Sequence, residues 1–202
     1  MKETPIFEEV FMHLIRQPGF GLKLLIGGLL SFVPIMNIFA FGYLYRLALH
    51  IRNTGEITLP EWNDWRALFL DGLRFAVVWL SYWFLPVVII YMLSRALDPV
   101  GLGAISHLVL SITFLIASIL FCSALYRLQM RSDFKDLLDI QLIARMVHME
   151  FQRFVIPALV FLGISALSYH LYGFTLFFGF LVLITYTGLR YRSLEQGRPS
   201  NI

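Results

Sequence analysis

The densest run of chemically competent side chains is Leu59-Pro60-Glu61-Trp62-Asn63-Asp64-Trp65, which continues as Leu68-Phe69-Leu70-Asp71-Gly72-Leu73. Its carboxylates, Glu61, Asp64 and Asp71, are the raw material of a cation site or of an acidic pore mouth. They also have a structural reading, in which Trp62 and Trp65 anchor a helix at headgroup level and the acids favour the positive end of its dipole. A second candidate is Asn37, preceded by Pro34 in the middle of an apolar run. A helix broken there could line a path for an ion or solute, or Asn37 could simply cap the second half-helix. A third is the set Arg46, Arg127 and Arg190, at the ends of apolar runs, where a guanidinium can hold an anionic lipid headgroup or snorkel to the interface.

Other chemistries lack their residues. His107 and His170 stand alone, with no His or carboxylate at metal-ligand spacing, and each is expected to make a structural hydrogen bond. The single cysteine, Cys122, allows neither an intrachain disulfide nor a cysteine zinc site. Phosphate-loop, nucleophile-elbow, zincin and dithiol motifs are all missing, so the chain is expected to be no enzyme, with no catalytic residue, cofactor or metal. No apolar run carries Asp, Glu, Lys or Arg in its interior, which argues against a coupled transporter and excludes a voltage sensor. Ser111, Thr113, Ser118, Ser123, Ser165, Ser168, Thr185 and Thr187, with the Gly27-x-x-x-Ser31 spacing, are ordinary helix-packing devices.

The elements that must carry these groups belong in lipid. Of 202 residues, 58% are hydrophobic and 14% charged, against about a quarter charged in soluble domains. Mean hydropathy is +0.74. The net charge of +3 does not gather into a phosphate-binding patch, so nucleic acid is not an expected partner. Glu3, Glu8 and Glu9 stand where a signal peptide would be basic, and the chain is expected to insert without cleavage.

A bilayer core of about 30 Å needs about 20 apolar helical residues. The runs 22–49, 73–91, 100–126 and 154–189 meet that need. The last is long enough to divide near Tyr169-His170-Leu171-Tyr172-Gly173 into spans 154–170 and 172–190. Ser31, Pro34 and Asn37 interrupt the first, so 22–49 is expected to re-enter as a hairpin or to cross as one kinked helix. Charge counting favours the hairpin. A crossing run leaves twelve Lys and Arg on one side against four, and a re-entrant run leaves fifteen against one, with both termini cytoplasmic. One pattern points the other way: Leu44-Tyr45-Arg46-Leu47 recurs as Leu125-Tyr126-Arg127-Leu128, 81 residues on, and a true repeat would make the first and third runs equivalent spans.

Three connectors have one apolar face. Residues 1–20 carry Thr4-Pro5 as a start signal, residues 58–72 open with the capping-box spacing Thr58-x-x-Glu61, and residues 132–153 are opened by Asp133. All three are expected as helices in the interface or packed beneath the bundle.

Lys23, Ile26-Gly27-Gly28, Pro34, Asn37, Gly42-Tyr43, Arg46, the run 59–65, Leu68-Phe69 and Asp71-Gly72-Leu73 together resemble the bacterial and archaeal polytopic membrane proteins grouped as domain of unknown function 4013. The resemblance covers about a quarter of the chain and implies a multi-span membrane protein of no assigned activity.

The expected architecture is therefore an all-α membrane bundle forming a single domain. It has an interfacial helix (1–20), a re-entrant or kinked segment (22–49), a second interfacial helix (58–72) and spans at 73–94, 100–126, 154–170 and 172–190. The amphipathic connector (132–153) and a cytoplasmic tail (191–202) complete it. Its expected location is a bacterial inner membrane, and its partners are lipids and either further copies or other membrane subunits. The expected function is that of an oligomeric scaffold or accessory subunit that could also shape the membrane, with a small channel or an anionic-lipid binder as alternatives.

Overall fold

The computed structural model describes residues 6–95, 102–131, 133–167 and 171–197. Its helices are α1 (Phe7–Ile15), α2 (Phe20–Phe32), α3 (Asn37–Thr54), α4 (Trp65–Trp79), α5 (Leu85–Arg95), α6 (Gly103–Arg131), α7 (Ile140–Leu167) and α8 (Tyr172–Gly197). A π-helical stretch, Leu80–Phe84, makes α4 and α5 one continuous helix, and a 3-10 turn, Phe134–Leu138, precedes α7. No strand occurs among the described residues. Among the described residues four helices are long and apolar enough to cross a membrane: Trp65–Arg95, Gly103–Met130, Ile140–Ala166 and Tyr172–Gln196. The chain is an all-α polytopic membrane protein.

It forms two compact units. The first comprises Met1–Phe75 and Gly163–Ile202, with α8 as the principal partner of α1, α2 and α3. The second comprises Ala76–Leu162.

In the first unit α2 runs antiparallel to α8: Phe20 meets Phe178, and Phe32 meets Tyr172 with ring centroids 4.8 Å apart. Gly27 and Gly28 lie where a Cβ would collide with the rings of Phe177 and Phe174. Helix α3 runs parallel to α8, with Tyr43 beside Phe177 and Ile51 against Gly188. The first apolar run is thus two antiparallel legs, of 13 and 18 residues, about 20 and 27 Å long. Pro34 initiates the reversal, since it cannot continue the helical ladder, and Ile35 takes a left-handed φ of 74°. Val33, Ile35 and Met36 are all exposed at this tip. Helix α1 lays Phe7 and Phe11 on Tyr186 and Phe178 of α8 and buries Val10 and Leu14.

Helix boundaries differ from the sequence reading where long-range contacts override local signals. Thr58 and Glu61 form no capping box, because residues 55–64 are not helical and Glu61 is drawn to Lys23. Asp64 caps α4 instead, accepting from the Ala67 N–H at 3.2 Å. From there one helix carries residues 65–72 of the expected interfacial helix 58–72 together with the span 73–94, while 58–64 stay non-helical. The connector 132–153 likewise continues into the following span within α7. Asp133 caps only the short 3-10 turn, and Asp139 accepts from Leu142 to start α7. Thr4-Pro5 and His170 lie outside the described residues.

In the second unit the π-helical stretch has a cause in the sequence. Pro86 has no N–H to donate to the Tyr82 carbonyl, and its ring crowds that carbonyl, so the ladder widens by one residue. The widened turn carries Trp83, whose indole N–H donates to Ser118 Oγ on α6 at 3.0 Å. Phe114 and Phe161 pack on the same ring. Tyr82 donates its hydroxyl proton to the Leu137 carbonyl, and Ser106 of α6 donates to the Ser94 carbonyl of α5 at 3.2 Å.

Candidate functional site

The loop 55–64 is held by two cations from the hairpin legs. Lys23 of α2 donates to the Leu59 carbonyl at 2.9 Å and to Glu61 Oε1 at 2.6 Å. Its side chain is 11% exposed, whereas that of Glu61 is 72% exposed, so the pair has a buried ammonium and a wet carboxylate. Arg46 of α3 holds the other end, donating from Nε to Asp71 Oδ2 at 3.2 Å and from Nη1 and Nη2 to the carbonyls of Asn63 and Asp64. The Asp64 carboxylate is 3.9 Å from the same guanidinium. Asp71 takes a second cation, Arg74, at 3.2 Å. A planar guanidinium suits this work, because it spreads its donors over three nitrogens, whereas the N–H groups of a lysine all radiate from one atom and need acceptors gathered around it.

Between the two cations runs an aromatic stack. Tyr43 lies on Trp62 with ring centroids 4.3 Å apart and planes within 20°, and Trp62 continues to Trp65 at 6.1 Å and Phe177 at 6.3 Å. The Tyr43 hydroxyl and the Trp62 indole N–H are buried, and neither has a hydrogen-bond partner among the described residues. Beneath the stack, α3 and α4 cross at backbone contact. A Cβ on Gly42 would strike the Leu68 carbonyl, and one on Gly72 would strike the Ile38 carbonyl. Only glycine at both places permits this approach.

The predicted site residues therefore divide. Pro60, Glu61, Trp62, Asp64, Trp65 and Asp71 come together as one packed loop and helix start. Pro34 and Asn37 lie at the exposed tip and first turn of the hairpin, where Pro34 is exposed and Asn37 half-buried. The Asn37 side chain makes no hydrogen bond among the described residues. Among the arginines, Arg46 is engaged as described, Arg127 pairs with Asp136 at 3.6 Å with both side chains nearly enclosed, and Arg190 is buried. The repeated Leu-Tyr-Arg-Leu does not extend to these partners: Asp71 follows Arg46 by 25 residues and Asp136 follows Arg127 by nine.

Sequence reasoning missed Phe174 and Phe177, which seat Gly27, Gly28, Tyr43 and Trp62. It also missed a cleft of about 390 Å³ lined by Phe39, Trp65, Arg66, Phe69 and Leu70. Among the described residues no group of three or more His, Cys, Asp and Glu is placed to hold a metal ion.

The residues quoted for the family resemblance thus lie in one unit, and most are one another's partners: Lys23 with the 59–61 loop, Tyr43 with Trp62, Arg46 with Asp71, and Gly42 and Gly72 with the facing helix. No curated protein and no solved structure matches the chain. The model of the family described as protein of unknown function (DUF4013) matches residues 26–186, most of the chain. The chain belongs to the DUF4013 family.

Proposed function

We propose that this protein is a non-catalytic subunit of the bacterial inner membrane, an oligomeric scaffold or an accessory component of a larger membrane complex, built around a re-entrant α2–α3 hairpin. The observation that carries the reading is the mutual engagement of its chemically competent groups. Lys23 and Glu61, and Arg46, Asp64, Asp71 and Arg74, face one another, which stabilises an architecture and leaves little for turnover. In favour of a re-entrant path, the α2 leg has only 13 residues, the tip is apolar, and lipid rather than water suits exposed Val33, Ile35 and Met36. Fifteen of sixteen Lys and Arg then fall on the cytoplasmic side, together with the C-terminus.

A channel finds less support. Each acid its mouth would need lies within 4 Å of a cation, and Asn37 sits at the exposed end of the hairpin.

Gentle extraction of the tagged full chain from native membranes, followed by native mass analysis, tests the proposal. Stoichiometric foreign subunits are expected for an accessory component, and a closed homo-oligomer for a scaffold. A strictly monomeric protein that retains no other subunit overturns both.

A further inference from the structure

Helix α8 carries no charge over residues 172–189, and by length alone that stretch could cross a bilayer. The helices packed on it do not allow all of it to lie in lipid. Phe11 of α1 and Phe20 of α2 both meet Phe178, so the chain between them, with His13 and Arg16 exposed, reverses beside that residue. Tyr43 and Trp62 meet the adjacent Phe177, and the Glu61 side chain next to Trp62 is wet. Phe178 is six residues from Tyr172 and 11 from Leu189, about 9 and 16 Å along the helix. A crossing by 172–189 would hold an exposed guanidinium and an exposed carboxylate well inside the hydrocarbon, where charged side chains are costly and rare.

Beyond Phe178 the surroundings are those of a water-soluble core. Every residue from Gly179 to Gly188 is buried, Thr185 and Thr187 among them. Helix α1 covers this part with Phe7 on Tyr186 and turns Glu8 and Glu9 outward. Ile51 of α3 lies against Gly188, and Arg192 donates to the Ile51 and Arg52 carbonyls, closing the end of α3 over Gly55. Asn53, Thr54 and Glu56 at that end are exposed and polar. Before Phe178 the character reverses. Phe32 and Tyr172 meet near the hairpin tip, and the outer face of α2, Leu22, Leu25, Leu29 and Val33, is exposed and apolar at helical spacing. Helix α7 is also short of a full crossing: from Arg153, its last charge, to Leu167 it has 14 residues, about 21 Å against a core of about 30 Å.

We propose that α8 does not cross the membrane. Its second half is the axis of a cytoplasmic cap wrapped by α1, α2 and α3, and its first residues, Leu171 and Tyr172, lie in the bilayer without reaching the opposite face. The chain then crosses twice, through Trp65–Arg95 and Gly103–Met130, and both termini stay cytoplasmic. The proposal rests on the cytoplasmic origin of the hairpin in the preceding reading and requires neither an oligomer nor a partner.

The test uses single cysteines in the full chain with Cys122→Ser, each at an exposed position. In liposomes, a nitroxide on Met12→Cys, next to the Phe11 contact with Phe178, is expected to collide more with a water-soluble nickel chelate than with oxygen. One on Leu171→Cys is expected to do the reverse. In intact cells, an impermeant maleimide is expected to label Leu102→Cys, just before α6, from outside and to leave Leu171→Cys unlabelled. Labelling of Leu171→Cys from outside overturns the proposal, as does a Met12→Cys nitroxide that meets oxygen rather than chelate, and either result leaves the hairpin reading standing. Arg16→Cys and Glu56→Cys labelled from opposite sides would end the hairpin reading and this proposal together, so the two failures are told apart.

Discussion

Gly42 on α3 and Leu68 on α4 are in backbone contact, the glycine Cα lying where any side chain would displace the leucine carbonyl. Gly72 stands in the same relation to Ile38 one turn along each helix, so the crossing is fixed at two points. Gly42→Ala or Gly72→Ala should each cost about 1–3 kcal/mol, since the obstructing atoms are main chain and cannot turn aside. Gly163→Ala meets nothing within 4 Å and should be neutral or slightly stabilising. Thermal unfolding in detergent distinguishes these cases, and equal midpoints for all three variants would refute the close crossing.

Arg46→Lys should act as a loss rather than a conservative exchange. The ammonium can retain Asp71 but cannot also reach the carbonyls of Asn63 and Asp64. Limited proteolysis should cut within residues 56–64 several-fold faster in the variant, while sites outside that loop are cut at the wild-type rate. Unchanged cleavage of the loop would mean that Arg46 does not hold it.

Tyr43→Phe removes a buried hydroxyl that has no partner among the described residues while keeping the ring on Trp62. Stability should stay within about 1 kcal/mol of the wild type, on the favourable side, because an orphaned polar group is replaced by its apolar isostere. A loss of more than about 2 kcal/mol in chemical denaturation would instead show that the hydroxyl holds a bound molecule or a second copy.

Ser118→Ala deletes the acceptor of the Trp83 indole in the second unit. Inside a bilayer such bonds contribute about 0.6 kcal/mol on average and up to about 1.7, so the expected loss lies in that interval. Tryptophan emission should shift with it, as the environment of one indole of the four changes. A silent spectrum together with an unchanged midpoint would contradict the bond.

A re-entrant path for the α2–α3 hairpin predicts a labelling pattern. In a Cys122→Ser background, Arg16→Cys and Glu56→Cys should both react with a membrane-impermeant thiol reagent from the cytoplasmic side, and Ile35→Cys should not. Reaction of positions 16 and 56 from opposite sides would show that 22–49 crosses completely.

The membrane class was legible because long apolar runs admit no other solvent, and the family was legible because its signature is packed into 51 residues between Lys23 and Leu73. Helix boundaries were less so. Thr58-x-x-Glu61 has the spacing of a local cap, yet the Lys23 ammonium, 38 residues earlier in the chain, takes the carboxylate. The interfacial and spanning parts of α4 merge because no proline lies between Asp64 and Pro86, the single glycine there, Gly72, sits against α3, and even Pro86 is absorbed by a π turn. Nothing local announces that Gly27 and Gly28 await Phe177 and Phe174, since residues about 150 positions apart leave no mark on periodicity.

That separation also sets an order of events during synthesis. At about 5–20 residues per second, roughly 7–30 s pass between the emergence of Gly28 and that of Phe177. Throughout that interval the glycine face of α2 has no rings to receive, so the first hairpin made is among the last parts to be completed. A ribosome that stalls before residue 172 would leave the nascent hairpin with this groove open, the form in which a chaperone or quality-control protease would meet it.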